Sequence, residues 1–147
     1  MSCELVSKFY LNRKPLRSIA LTTNTSILTA VSNDYKYEDV FERQVEALAD
    51  KGDVLIGITT SGNSKNVIKA LKMANEKGVT TIALTGEKIE NIKDFADYLI
   101  PVSSKVTPHI QESHIMIGHI LCYLVEKTLF GDKQWQTEQS LSTETVQ

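Results

Sequence analysis

Between Thr59 and Ser64 the chain reads Thr-Thr-Ser-Gly-Asn-Ser, which places five side-chain hydrogen-bonding residues in six positions. The apolar run Asp53-Val-Leu-Ile-Gly-Ile58 precedes it, and a helix-like stretch with Val67, Ile68, Ala70, Leu71 and Ala74 at helical spacing follows. Parallel α/β sheets bind ligands beyond the carboxyl ends of their strands, where such a strand-to-helix loop lies. The first turn of the helix has backbone N–H groups without internal partners and the positive end of the helix dipole, so a phosphate is favoured there. Thr59, Thr60, Ser61 and Ser64 add hydroxyl donors, Gly62 permits close backbone approach, and Lys65 is expected to add positive charge nearby. The same residues also make a good turn and helix cap without a ligand, and on composition alone the two readings weigh about equally. Five polar side chains exceed what a cap needs, and that excess favours binding.

The elements that would hold this loop form a strand–helix alternation. Three short apolar runs, Ser18–Thr22, Asp53–Ile58 and Thr80–Leu84, end in small or hydroxyl residues and lead into helix-like segments. The pattern predicts an α/β fold around a parallel sheet, with Asp53–Ile58 as the central strand because its apolar run is nearly continuous. Helices are expected over Asn24–Asn33, over Tyr37–Lys51 with a stop at Gly52, and from Ser64 or Asn63 as cap to Gly78. A short helical segment within Glu90–Phe95 and a strand at Tyr98–Val102 should follow, then a long last helix from Pro108 or Ile110 to Phe130. Residues 131–147 read as a polar tail, in which Trp135 is the one large apolar side chain.

The 147 residues have the length of one domain, here 1–130. Sixteen basic and eighteen acidic residues give a net charge of -2 with no dense basic block, so no nucleic-acid partner is expected. Cys3 and Cys122 match no zinc or redox spacing and read as reduced thiols of a cytoplasmic protein. The apolar stretch Ile115–Val125 falls short of the roughly 20 residues that span a bilayer, and the N-terminus lacks a signal-peptide pattern.

Several separate motifs, in order along nearly the whole chain, resemble the sugar isomerase (SIS) domain family, and within it the phosphoheptose isomerases. They are Glu4-Leu5 with Phe9-Tyr10 and Asn12-Arg13, Ile19–Thr23, Asn33-Asp34-Tyr35, Asp53–Ile58, Thr60–Ser64, and Ile110-Gln111-Glu112 with His119. Thr59 keeps a hydroxyl where serine is common, and Asn24 stands where an acid is frequent. The resemblance implies a SIS-type parallel-sheet sandwich of flavodoxin-like or Rossmann-like form with flanking helices. It implies a phosphorylated seven-carbon sugar as substrate, with the phosphate on Thr59, Thr60, Ser61 and Ser64 and the sugar contacted by Asn33, Asp34, Glu4 and Gln111. It further implies a zinc site per subunit with Glu4, Gln111 and His119 among its ligands, Glu4 as general base, His119 as acid, and a homotetramer. By the same likeness a further strand, an Asn-Gly-Gly-Ser loop and a fourth ligand, a histidine, would precede Met1, so the sequence is expected to be N-terminally partial.

Without the resemblance these residues read differently. Gln111 and His119, eight apart on one helix, fall within about 80° of one face but roughly 12 Å apart along the axis. A histidine on a mostly apolar helix is more often a hydrogen-bonded core residue, the reading that His114 keeps, and Glu4 would pass for a solvated charge. Two alternatives stand beside an isomerase: a non-catalytic SIS module that binds phosphosugar or associates with the replication initiator, and an inactive remnant.

Overall fold

The computed structural model describes residues 1–131. The expected tail with Trp135 lies, from residue 132 on, outside the described residues. The chain forms two compact units, one of Leu21–His114 and one of Met1–Ala20 with the chain from Ile115 onward.

In the first unit, β1 (Val54–Thr59), β2 (Thr80–Thr85) and β3 (Tyr98–Pro101) form a parallel sheet in the order β1-β2-β3. The register sets Thr59 beside Thr85 and Thr85 beside Pro101, so all three strands end in one row. Between β1 and β2 runs α4 (Lys65–Glu76), with Ser64 at its cap position and Gly78, where φ is +69°, closing it. Its two faces have separate tasks. Leu71, with Val67 and Ile68, packs on Ala83, Ile92 and Leu99, while Ala70 and Ala74 meet Val45, Phe41 and Leu21. The small alanines let α3 (Glu42–Leu48) come close. At Gly57 a Cβ would lie 2.9 Å from the Val67 methyl, so the strand admits the helix only without a side chain there.

Three expectations change. Ser18–Thr22 forms no strand: Leu21 reaches the core, but Ile19 is 67% exposed, so only one of the run's two large apolar side chains packs. The helix expected over Tyr37–Lys51 is divided into a 3-10 turn at Tyr37–Asp39 and α3. That turn buries Val40 and directs Glu38 to Lys65 and Asp39 to Lys69 on α4. Finally, β1 is an edge strand of the described sheet and β2 the central one. Val54 and Ile58 are 56% and 50% exposed, whereas Ala83, Leu84 and Thr85 are buried. An unbroken apolar run measures how much of a strand can be buried, not which strands flank it. α2 (Thr25–Asp34) matches its expected place, with the Asn24 side chain accepting the Ile27 N–H.

The second unit packs α1 (Ser2–Val6) and the segment to Ala20 with α5 (Thr107–Phe130) from Ile115 on. At Gly118 a Cβ would stand 3.0 Å from the Met1 side chain, so the glycine lets α1 approach α5. Glu126 is the organising residue. Its buried carboxylate accepts N–H bonds from Phe9, Tyr10 and Leu11 and a 2.8 Å ion pair from Arg13 Nε. Burial alone would raise its pKa, but the three amides and the guanidinium outweigh it and hold the carboxyl below its ordinary 4.5.

A depressed folded-state pKa adds stability that is fully present above the unfolded value and is lost as pH falls through the folded value. Acid titration of the unaltered protein should therefore show loss of stability beginning below about pH 4.5 and continuing as Glu126 protonates. Glu126→Gln, followed by circular dichroism, should be less stable at neutral pH and less sensitive to acid; an identical acid limb would remove Glu126 from that role. No described helix is long and apolar enough to cross a membrane.

Candidate functional site

The loop expected to bind phosphate leaves β1 at the row where the strands end. Thr59 is buried, and its Oγ1 lies 2.8 Å from Ser64 Oγ and 3.3 Å from Ser61 Oγ. Ser61 Oγ also accepts the Asn63 N–H at 3.2 Å, and the Asn91 side chain donates to Asn63 Oδ1 at 3.0 Å. Ser64 occupies the cap position of α4 but makes no side-chain cap bond, because its hydroxyl turns to Thr59. Three hydroxyls thus gather at the mouth of a twelve-residue helix, an arrangement suited to an anion that takes O–H and N–H donors together.

Two glycines shape this loop from outside its hydroxyl pattern. Gly62 has φ +62°, and a Cβ there would come within 2.0 Å of the Lys88 carbonyl oxygen. Gly86, directly after β2, would place a Cβ 2.5 Å from the Thr60 carbonyl and 2.9 Å from Ile110 Cδ1. The backbone that follows β2 therefore presses on the loop that follows β1. Lys65, the first residue of α4, pairs its ammonium with Glu38 at 2.9 Å and lowers the pKa of that carboxylate.

Asn33 and Asp34 lie exposed at the end of α2, and Thr60 is half-buried in the loop. Gln111 is exposed on the first turns of α5, in the same unit as the loop. His114 is buried, with Nε2 3.0 Å from the Thr85 carbonyl, and so takes the core role expected of it; its Nδ1 has no hydrogen-bond partner.

In the other unit, Glu4 and His119 come together, with Oε1 and Nε2 3.9 Å apart. The carboxylate is 23% exposed and the imidazole 50%, so both can be reached from solvent. Cys3 Sγ donates to Glu4 Oε2 at 2.6 Å, and the Phe9 ring lies 5.6 Å from the His119 ring, centre to centre. At 3.9 Å the pair is too far apart for a direct hydrogen bond, yet a group between them would be within reach of both. Carboxylate oxygen and imidazole nitrogen are also donor types that zinc accepts, so the pair fits as part of a zinc ligand set. Among the described residues no cluster of three His, Cys, Asp or Glu side chains forms a metal site. Sequence reasoning gave no role to Glu126 and named Arg13 only as part of the family likeness; Arg13 donates to the Glu4 backbone carbonyl, and Glu126 accepts from Arg13 and from the Phe9 N–H.

The SIS domain model matches residues 1–86. The chain belongs to the SIS domain family. It is 56% identical over 133 residues to the phosphoheptose isomerase of Clostridium acetobutylicum, covering 90% of this chain and 68% of that protein. With phosphoheptose isomerase 2 of Campylobacter jejuni it shares 56% over 128 residues, 87% of this chain and 64% of the relative. A phosphoheptose isomerase structure from Francisella tularensis superposes with a TM-score of 0.82 at 36% identity, covering 86% of this chain and 68% of that one. One from Neisseria gonorrhoeae gives 0.77 at 43%, covering 84% and 66%. Within the SIS class, the chain is a member of the phosphoheptose isomerase family of enzymes. It spans about two thirds of the length of these relatives.

Proposed function

We propose that the protein isomerises D-sedoheptulose 7-phosphate to D-glycero-D-manno-heptose 7-phosphate, an aldose–ketose reaction that supplies heptose for lipopolysaccharide core. The observation that carries this reading is the Glu4–His119 pair, a carboxylate and an imidazole 3.9 Å apart in a chain of this family. Glu4 takes a proton from C1 of the open-chain ketose, and the electron pair forms the C1–C2 double bond of an enediol as His119 protonates the C2 oxygen. Collapse from the C1 oxygen, whose proton passes to His119, then draws the proton held by Glu4 onto C2. The net change moves one hydrogen from C1 to C2 and one from O1 to O2. The loop Thr59–Ser64 holds the phosphate, so that binding energy at the far end of the sugar orients the reacting end. Asn33 and Asp34 are proposed to contact the sugar.

Glu4 and His119, with Gln111 added by family likeness, would hold zinc, which when bound polarises the substrate's oxygens. A homotetramer is supported by Ile115, Met116, Ile120, Leu124 and Leu129 of α5, each at least 47% exposed. A cytoplasmic setting is supported by two free thiols, Cys3 and Cys122. A non-catalytic module is not favoured, because the acid and the histidine that an isomerase needs are both present and paired.

Thr59→Val keeps the side-chain shape and removes the hydroxyl that joins Ser61 and Ser64. It should raise KM for sedoheptulose 7-phosphate about tenfold and lower kcat by less than about threefold. A coupled isomerase assay measures both, and an unchanged KM would separate the loop from phosphate binding.

A further inference from the structure

We infer that Arg13 and Glu126 are positioning residues for the Glu4–His119 pair, an inference that rests on the catalytic reading of that pair. The α1 helix that carries Glu4 has only five residues, too few to satisfy its own last carbonyls. Arg13 supplies donors from outside the helix: Nη2 donates to the Glu4 carbonyl at 2.7 Å and Nη1 to the Leu5 carbonyl at 2.8 Å, which also accepts the Leu16 N–H at 3.0 Å. Its Nε donates to Glu126 at 2.8 Å, and both side chains are all but completely buried, at 1% and 2% exposure. One rigid guanidinium therefore ties the backbone of the proposed base to α5.

The same carboxylate reaches the histidine by a second route. Glu126 accepts the Phe9 N–H at 3.0 Å, and the Phe9 ring lies against His119. Glu126 and His119 are seven residues apart on α5, which puts them on nearly the same face about 10 Å apart. Two turns of one helix thus carry both the proposed acid and the anchor that places the base and the ring beside it. Residues buried this completely stay fixed as substrate arrives, which suits a geometry that must be preformed.

The test compares kcat and KM for sedoheptulose 7-phosphate in the full chain, unaltered and as Arg13→Lys, Glu126→Gln and Glu4→Gln, with the folded fraction of each measured by thermal melting. Arg13→Lys and Glu126→Gln should lower kcat per folded molecule about a hundredfold while KM stays within about twofold, because the phosphate loop belongs to the other unit. A purely structural role would change the folded fraction and leave kcat per folded molecule intact. If Glu126→Gln does not fold, Arg13→Lys decides, since lysine keeps the charge against Glu126 but lacks the fork that reaches two carbonyls. Full kcat in Arg13→Lys, or a raised KM with unchanged kcat, overturns the inference. An inactive Glu4→Gln beside a fully active Arg13→Lys overturns the inference alone. An active Glu4→Gln, or no turnover by the unaltered chain, overturns the catalytic reading and this inference with it.

Discussion

Glu4→Gln lowers kcat by about a thousandfold and leaves KM for the sugar phosphate within about threefold. The amide keeps the shape of the carboxylate and its place beside Cys3 and His119 but cannot accept a proton from carbon. Substrate affinity is expected to survive because the hydroxyl loop around Thr59 is built on β1 and α4, in a different unit from Glu4. Steady-state kinetics paired with calorimetric titration of the sugar phosphate separates the two effects. Turnover within about tenfold of the unaltered protein would take Glu4 out of the base role. Loss of affinity equal to the loss of rate would make it a binding residue instead.

Gly62→Ala should damage the phosphate site from a position that carries no functional group. Its φ of +62° belongs to the left-handed region, which costs a residue with a side chain about 1–2 kcal/mol. The added methyl would also meet the Lys88 carbonyl at 2.0 Å, and a backbone partner cannot turn aside as a side chain can. Either the loop or the segment after β2 must move. The expected result is a loss of about 2 kcal/mol or more in stability and a KM for the sugar phosphate raised about tenfold. Gly52→Ala is the comparison, since Gly52 has φ +97° with no atom within 4 Å of an added Cβ. It should show the backbone cost alone, with KM unchanged. Equal KM in the two variants would mean that the contact with Lys88 does not shape the loop.

What the sequence made legible follows from how local each signal is. β1, α4 and β2 stand close to their expected places because strand end, cap position and stop lie near one another: Thr59 ends the strand, Ser64 holds the cap position, and Gly78 closes the helix. The loop's position at the carboxyl end of the sheet came from the same run of residues. Strand order was not local. Asp53–Ile58 has the composition of a central strand yet lies at the edge of the described sheet, and Ser18–Thr22 has strand alternation but forms no ladder among the described residues. A strand is defined by its neighbours, which an apolar pattern does not name.

The candidate site divides in the same way. The hydroxyls of Thr59, Ser61 and Ser64 could be read from the chain, whereas the pairing of Glu4 with His119 was suggested only by family resemblance. The pairing of Arg13 with Glu126 was not legible because it joins positions 113 residues apart. One sign was available: Glu126 is an acid on the mainly apolar last helix, two turns beyond His119 and on its side, and a buried charge needs partners.

The claim that this chain is a proton-transferring isomerase is tested most directly by incubating it with sedoheptulose 7-phosphate in D2O and following the products by NMR. The account predicts D-glycero-D-manno-heptose 7-phosphate in which C2 carries solvent deuterium in those turnovers where the Glu4 carboxyl exchanges its proton before returning it, and the original hydrogen in the others. A folded, unaltered chain that forms no aldose would contradict it.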